Sequence, residues 1–317
     1  MIDVSFVVIN WNSGRYLKHC IPSLLSQEGV KVEVIVIDNN SKEKIEEFLV
    51  GFENEIILVK NKKNLGYSGA ANKGILLSKG EFVSIINPDV ILDPSYSPSL
   101  IQKMRTDPIV GAVTGKLLKY DFDNNCIINV IDSTGIVVNK AMKMFDRGQN
   151  DTNIFKFDKD VKVFGVSGAA PIYRKSALVD IGVNNEIFDE DFFAYKEDID
   201  VSWRLRRFGW EIVYVPGAIG YHKRSMNDVV YSGIVARFKH RKRQSLLLRR
   251  LSLRNHYFLL MKNLSANDLK KNFYNIIKSE ILRIGFCILF EIKTLSVFIE
   301  VMRKRKKIIS KRRLISA

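Results

Sequence analysis

The chain has 317 residues, 46% of them apolar and 26% charged, which is room for one large α/β domain with an appendage and unlike a disordered or fibrous protein. Its net charge of +16 is unevenly spread: residues 228–317 hold 22 Lys+Arg against 5 Asp+Glu, while the first 227 hold 28 against 29. The basic character belongs to the C-terminal tail, which points to an add-on that meets an anionic surface.

Cys20, Cys126 and Cys287 are far apart, odd in number and without CxxC spacing, so neither a disulfide framework nor a zinc site is expected. Met1 runs almost directly into a strand-like segment with no basic stretch ahead of an apolar core, and no uncharged apolar run approaches ~20 residues. These features predict a cytoplasmic protein without a transmembrane helix.

Val4–Ile9 is a β-branched apolar run, the pattern of a strand buried on both faces. It ends in Asn10-Trp11-Asn12-Ser13-Gly14. A helix pattern follows from about Tyr16 to Ser26, bent at Pro22. A second strand, Val32–Ile37, ends in Asp38-Asn39-Asn40-Ser41, and another helix pattern begins near Glu43. Ile56–Lys60 reads as a third strand. After Asn64-Leu65-Gly66-Tyr67-Ser68-Gly69 comes a helix over about Ala70–Ser78, then a fourth strand at Phe82–Ile86. Strands alternating with helices predict a parallel sheet of βαβ units, whose ligands sit at the carboxyl ends of the strands. Asn10, Asp38, Asn64 and Asn87-Pro88-Asp89 all fall at those ends.

Each local motif admits two readings. Gly66-x-x-Gly69 resembles a phosphate-cradling turn but is neither GxGxxG nor a P-loop, and a helix start needing a tight turn would also explain it. Asn72 would face the same cleft one turn on. Pro88 stiffens its turn, so Asp89 either closes an Asx turn or helps hold a divalent cation together with diphosphate oxygens. Residues 93–162 are uninformative beyond strand-like pieces at Val110–Thr114 and Gly135–Val138. Phe164–Arg174 is rich in small residues, including Gly168, consistent with close approach of backbone to a ligand. Glu197-Asp198-Ile199-Asp200 crowds three carboxylates. Crowding raises proton affinity, as a general base near neutral pH requires, but a helix first turn also favours acids. A helix over Trp203–Phe208 and a strand at Glu211–Val215 follow, and Gly220-Tyr221-His222-Lys223-Arg224-Ser225 closes the core. His222 is either structural or a metal or phosphate ligand.

Taken in order, strand–Asn-x-Asn, strand–Asp-Asn-x-Ser, Asn-x-Gly-x-x-x-x-x-Asn, Asn-Pro-Asp-Val, Phe-Phe-x-Tyr-x-Glu-Asp-x-Asp-x-x-x-Arg and a downstream His resemble the GT-A family 2 glycosyltransferases. The likeness is to their rhamnosyltransferase-like branch in bacterial polysaccharide and O-antigen assembly. It covers about residues 3–225, with a weaker echo at Arg254-Asn255-His256-Tyr257. The resemblance implies a GT-A, Rossmann-like, mostly parallel sheet flanked by helices. Residues 1–225 would be catalytic (about 1–95 for the nucleotide sugar, 96–225 for the acceptor), and 226–317 a basic helical extension.

By the same resemblance, Asn10, Asp38 and Asn40 contact the nucleoside, and Asn64, Asn72 and Asp89 help hold it or its diphosphate. Asn87 replaces the first acid of the family's Asp-x-Asp, so Asp89 becomes the direct ligand of Mg²⁺ or Mn²⁺, with His222 the second. Asp198 is the catalytic base of an inverting displacement. Glu197 supports it, and Asp200 and Gly168 bind the acceptor, unless Asp200 instead pairs with Arg204 at i+4. The branch implies dTDP-L-rhamnose as donor; a UDP-hexose donor, or a non-catalytic nucleotide-sugar-binding scaffold, is the alternative.

In the tail, apolar helical segments at Ser245–Leu253, Tyr257–Met261, Ile276–Phe290 and Leu295–Met302 alternate with Lys and Arg. They fit helices lying in a membrane interface, with Lys304-Arg305-Lys306-Lys307 and Lys311-Arg312-Arg313 towards anionic headgroups. A basic bundle packed on the catalytic domain is the alternative. Sparse aromatic interleaving argues against nucleic acid. A peripheral protein on the inner face of the plasma membrane, acting on a polyprenyl-diphosphate-linked glycan, is the expectation.

Overall fold

The computed structural model describes residues 1–184, 186–223, 241–242 and 244–314. Its centre is β1 (Val4–Asn10), buried at every position. β1 lies between β2 (Val32–Asp38) and β4 (Phe82–Ile86), parallel to both, and β3 (Ile56–Lys60) runs parallel on β2. Register pairs Asn10 with Asp38 and Asp38 with Lys60, so three strands end level with one another. These four strands are therefore parallel, as the βαβ pattern predicts.

The other half is mixed. β6 (Val110–Asp121) and β12 (Glu211–His222) run parallel, whereas β11 (Ile172–Arg174) is antiparallel to both β4 and β6. The sheet order is β10-β12-β6-β11-β4-β1-β2-β3, where β10 is Val161–Lys162; β5 (Val90–Leu92) pairs with β12, and β7 (Cys126–Ser133) with β6. A separate two-stranded ribbon joins β8 (Ile136–Val138) and β9 (Met144–Asp146).

Alternation along β1 divides the core. Val4, Phe6 and Val8 face α1 (Leu17–Leu25) and α3 (Tyr96–Thr106), while Val7 and Ile9 face α2 (Gly66–Leu77), α4 (Lys175–Asp180) and α5 (Glu197–Arg207). Several boundaries differ from the sequence reading. Only a short 3₁₀ turn forms at Ile45–Phe48 in place of the helix expected near Glu43. Helix α3 is new; its Pro98 falls in the first turn, where a missing N–H costs nothing. β12 extends to His222 by a register shift between Tyr214 and Ile219 that absorbs Pro216.

The extension forms α6 (Leu246–Asn263), α7 (Ala266–Phe290) and α8 (Val297–Leu314). Phe258, Leu259, Ile276, Val301 and Ile308 share one apolar cluster with Phe192, Ile199 and Trp203 around the start of α5. Much of the tail's charge is used internally. Lys262 pairs with Asp189 and Asp200 at 2.8 Å each, Lys311 with Asp189 and Asp191, and Lys304 and Lys307 with Asp191. Lys304, Lys307 and Lys311 therefore bind this chain's own acids, which leaves fewer charges for a headgroup layer than the sequence implies. Among the described residues no helix is long and apolar enough to cross a membrane. Arg224, Ser225 and the boundary expected at 225/226 lie outside the described residues.

Candidate active site

A cleft of about 480 Å³ opens at the carboxyl ends of β1 and β4, against the start of α5. Asn64, Asp89, Gly168, Glu197, Asp198 and His222 line it together, although the chain separates the first from the last by about half the sequence. Five other expected residues do not line it. Asn10 and Asp38 are buried beneath it. Asp38 Oδ1 accepts from Ser41 N at 3.3 Å and lies 3.4 Å from Asn10 Nδ2, so this pair organises the 38–41 turn. Asn10 Oδ1 has no hydrogen-bond partner among the described residues. Asn40 sits on the exposed side of that turn with φ 62°.

Asn72 is turned away from the cleft. Its Oδ1 accepts from Phe188 N at 2.8 Å and its Nδ2 donates to Phe188 O at 2.8 Å, so it ties α2 to the 187–190 segment. The cause is the helix start: α2 begins at Gly66 and not at Ala70, which rotates Asn72 to another face. Asp200 is also withdrawn. It is fully buried; Oδ2 accepts from Arg204 Nε at 2.9 Å and from Lys262 Nζ at 2.8 Å, and Oδ1 accepts from Asn263 at 2.8 Å. Burial pushes its carboxyl up, but Arg204 and Lys262 outweigh that and hold it below the ordinary range. The i+4 pairing with Arg204 is the correct reading, and no atom of Asp200 is left for an acceptor.

Residues missed in the sequence complete the cleft. Asn39, not Asp38 or Asn40, faces it. Its Nδ2 donates to Asn64 Oδ1 and Gly66 O at 3.0 Å, and its Oδ1 accepts from Leu65 N at 2.9 Å. Gly66 adopts φ +73°, and a Cβ there would stand 2.5 Å from Phe193 O, so only glycine lets the two loops meet. Trp11 is half exposed at the rim; a large aromatic just past a strand-end Asn was the signal available for it. Tyr67 donates to Gly168 O at 3.0 Å and fixes the small-residue segment.

The two retained acids sit at the N-terminus of α5. Asp198 Oδ2 accepts from Gly168 N at 2.9 Å and Oδ1 from Ile199 N at 2.8 Å, which aims the carboxylate along the cleft floor. Burial raises its proton affinity against those two donors. Glu197 is pushed up to about 8, by burial first and the Asp198 charge second, and its Oε2 is buried without a partner among the described residues.

Antiparallel pairing of β5 with β12 brings His222 opposite Val90, and so beside Asp89. His222 Nε2 lies 3.5 Å from Asp89 Oδ1, and Nδ1 2.9 Å from Asp132 Oδ2. Burial alone would depress the imidazole, but Asp89 and then Asp132 outweigh it and raise it to about 10. Among the described residues no group of three or more His, Cys, Asp or Glu is arranged to hold a metal. The donor chemistry of the pair nevertheless fits one cation completed by other ligands: a carboxylate and an imidazole converge, and Asp132 fixes the far ring nitrogen, as buried carboxylates do for metal-binding histidines.

Residues 5–182 match the family model described as Glycosyl transferase family 2. A poly-beta-1,6-N-acetyl-D-glucosamine synthase of Staphylococcus epidermidis is 27% identical over 218 residues, covering 68% of this chain and 48% of that protein. A Staphylococcus aureus protein of the same name aligns at the same identity and coverage. The chain thus spans about half the length of these curated relatives. Its fold is similar to that of a solved structure of GalNAc-T7 with UDP, GalNAc and Mn²⁺, at TM-score 0.61 and 13% identity, covering 83% of this chain and 49% of that one. The names speak of N-acetylhexosamines and UDP, which overturns the expectation of dTDP-L-rhamnose and of a rhamnosyltransferase branch; the alternative of a UDP-sugar donor is the better founded.

Proposed function

Because the chain belongs to glycosyl transferase family 2, matched over residues 5–182, we propose that it moves an N-acetylhexosamine from a UDP donor to a hydroxyl of a glycan acceptor, with inversion at the anomeric carbon. The observation that carries this reading is the convergence of Asp198 with Asp89 and His222 on one cleft at the strand ends. The names of the relatives support the donor class.

In this reading uracil lies against Trp11, and Asn39 and Asn64 meet the nucleoside side of the donor. Asp89 and His222 hold Mg²⁺ or Mn²⁺, which supplies Lewis-acid stabilisation of charge on the departing diphosphate. Asp198 accepts the acceptor hydroxyl proton as that oxygen bonds to C1 from the face opposite the leaving group. The bond from C1 to the diphosphate oxygen breaks, and UDP departs with its electron pair. Raised proton affinity suits Asp198 to this task near neutral pH, and Glu197 beside it stays protonated as a neutral neighbour. Residues 1–225 form the catalytic part and 226–317 a membrane-associating part. The acceptor is a polyprenyl-diphosphate-linked glycan at the inner face of the cytoplasmic membrane.

The test is UDP release from UDP-GlcNAc, UDP-GalNAc and UDP-glucose in the presence of Mn²⁺ and lipid-linked glycans, with product mass measured. Consumption of a UDP-N-acetylhexosamine that is lost in Asp198→Asn, with UDP affinity retained, is expected. Full turnover in Asp198→Asn, or consumption of none of the donors, would overturn the reading.

A further inference from the structure

Helix α7 is apolar on two opposite sides. Ile276 and Cys287 face the rest of the chain and are buried. Tyr274, Ile277, Ile281, Ile284 and Ile288, spaced three and four residues apart, form the other side and are 36–72% exposed. Leu282 and Leu289 flank that row and are exposed with it. From Tyr274 to Ile288 the row runs about 21 Å, at 1.5 Å per residue. Its last two turns, residues 284–290, contain no charged residue. A helix that is apolar all round is ordinarily covered all round, and an exposed row of this length marks a contact surface.

The charges around the row say what covers it. Among residues 266–293 the exposed charges are Lys270, Lys271, Lys278 and Lys293, and none forms an ion pair with a described residue. Lys278 stands 6.0 Å from the Tyr274 ring. The three acids of the same stretch have partners away from the row: Asp268 with Ser265, Glu280 with His256 and Arg283, and Glu291 with Arg241. A second copy of the chain fits this poorly. Two parallel rows would set lysine against lysine. Antiparallel rows would press Lys270 and Lys278 onto the uncharged 284–290 stretch, with no acid to meet them. An anionic lipid surface supplies both demands, acyl chains for the isoleucines and phosphates for the lysines.

We infer that the outer face of α7 docks on an anionic bilayer, with the helix in the membrane plane, its apolar row at the acyl boundary and its lysines at the phosphates. The inference deepens the proposed membrane-associating role of residues 226–317 and rests on it. It moves the contact away from the basic run at 304–313, where Lys304, Lys307 and Lys311 bind Asp189 and Asp191. It also sets the height of the catalytic carboxylate. Glu280 of α7 meets His256 of α6 at 2.9 Å, and the adjacent Asn255 bonds the Tyr195 carbonyl, three residues before Asp198. A docked α7 would therefore hold the cleft at a fixed distance from the bilayer that carries the acceptor.

The test is co-sedimentation of the full chain with vesicles of equal parts phosphatidylglycerol and phosphatidylcholine, and with phosphatidylcholine alone. Binding to the mixed vesicles at least about tenfold tighter than to phosphatidylcholine is expected. Ile281→Glu combined with Ile288→Glu should weaken it at least about tenfold, and Lys270→Gln combined with Lys278→Gln about tenfold. Phe155→Glu, at an exposed apolar residue of the catalytic part, should leave binding unchanged. The substituted side chains are exposed, so all variants should keep the parent's melting temperature and UDP affinity. Leu289→Trp gives a readout without loss of an apolar group: its emission should shift to the blue on mixed vesicles and be quenched by brominated lipid. Parent-like binding in both double variants, or no quenching of Leu289→Trp, overturns the α7 surface while the membrane-associating reading stands. A parent chain that ignores mixed vesicles overturns both. A dimer in sedimentation velocity that the two glutamates disperse would assign the row to a second copy and overturn the inference. If UDP-N-acetylhexosamine is consumed in any of these cases, the transferase reading is untouched.

Discussion

Asn255 stands with its side-chain Nδ2 2.7 Å from the carbonyl oxygen of Tyr195, and the same amide reaches Ala194 O at 2.8 Å and Phe192 O at 2.9 Å. The segment it grips is strained: Phe193, Tyr195 and Lys196 have φ of 64°, 73° and 69° without being glycine. Such residues persist only where surrounding structure over-determines them. Arg254 adds two more bonds, to Asp191 O and Phe192 O, at 2.9 Å. Helix α6 therefore holds the backbone that leads into Glu197 and Asp198. Asn255→Ala removes two amide N–H donors, shared among the three carbonyls, and the oxygen that accepts from Arg254 Nε, and should lower unfolding stability by about 3 kcal/mol, at ~1 kcal/mol per lost group. Asn255→Asp should be at least as damaging, since it sets an acceptor against three acceptors. Denaturant titration of both variants checks this, and an unaltered midpoint in Asn255→Asp would dismiss the clamp.

The Lys262 ammonium is buried with Asp189 and Asp200 at 2.8 Å each, and these salt bridges join the extension to α5. Removing the ammonium leaves Asp189 with Lys311 and Asp200 with Arg204, each buried and short of one counter-charge. Lys262→Met should cost about 3–5 kcal/mol. Replacing Asp200 as well, by Asn, should recover part of that loss in a double-mutant cycle. Additive losses would mean that the two residues are not energetically connected.

How much of this could be read from the chain depended on where the information lay. Strand ends were legible because an apolar run stopping at Asn10, Asp38 or Asn87 marks a carboxyl end directly. Asn39 was not distinguishable from its neighbours, since a one-residue difference in a turn decides which side chain faces the cleft. Asn72 was misassigned because the helix start was set four residues late. The left-handed conformations at Phe193, Tyr195 and Lys196 left no trace in composition, where glycine would have been the usual sign. Their support comes from Asn255, some sixty residues on in a helix whose pattern records only its own burial. Lys304, Lys307 and Lys311 looked like a surface charge run because their partners, Asp189 and Asp191, are distant in sequence.

Glu197 carries a pH signature. Its proton affinity in the folded chain, about 8, is above the 4.5 of an unperturbed glutamate, because burial and the Asp198 charge disfavour ionisation. The folded state therefore holds a proton that the unfolded state releases. Glu197 stabilises the fold fully at low pH, and that contribution fades as pH rises from about 4.5 through 8. Glu197→Gln should flatten the decline in melting temperature between pH 5 and 8, roughly the interval in which unfolded but not folded Glu197 is ionised. An equally steep decline in the variant would assign the pH dependence elsewhere.

Gly168 tests the aim of Asp198 without changing its chemistry. A Cβ at residue 168 would stand 3.2 Å from Asp198 Oδ2, the oxygen that accepts from Gly168 N. The carboxylate has to yield by a few tenths of an ångström. Gly168→Ala should therefore lower kcat about tenfold, with a smaller effect on UDP affinity, as small misplacements of a reacting group do. Wild-type kcat in this variant would argue that Asp198 is not the base.

Asp132 offers a test of the metal assignment away from the metal. It is fully buried on β7, ninety residues before His222, and its Oδ2 lies 2.9 Å from His222 Nδ1. With a cation bound at Nε2, the ring must be neutral there and carry its proton on Nδ1, and Asp132 is the group that would accept that hydrogen bond. Asp132→Asn keeps an oxygen in place to accept it but removes the charge. Asp132→Leu removes both. Carboxylate partners of this kind typically contribute about 10–100-fold to metal affinity. Mn²⁺ titration followed by electron paramagnetic resonance in the presence of UDP should show a loss of that order in Asp132→Leu and a smaller one in Asp132→Asn. The ordering matters more than either size, because a merely structural Asp132 would shift the melting temperature of both variants and leave Mn²⁺ affinity alone. If Mn²⁺ binds both variants as it binds the parent chain, His222 is not a ligand, and Asp89 would have to act with the diphosphate alone.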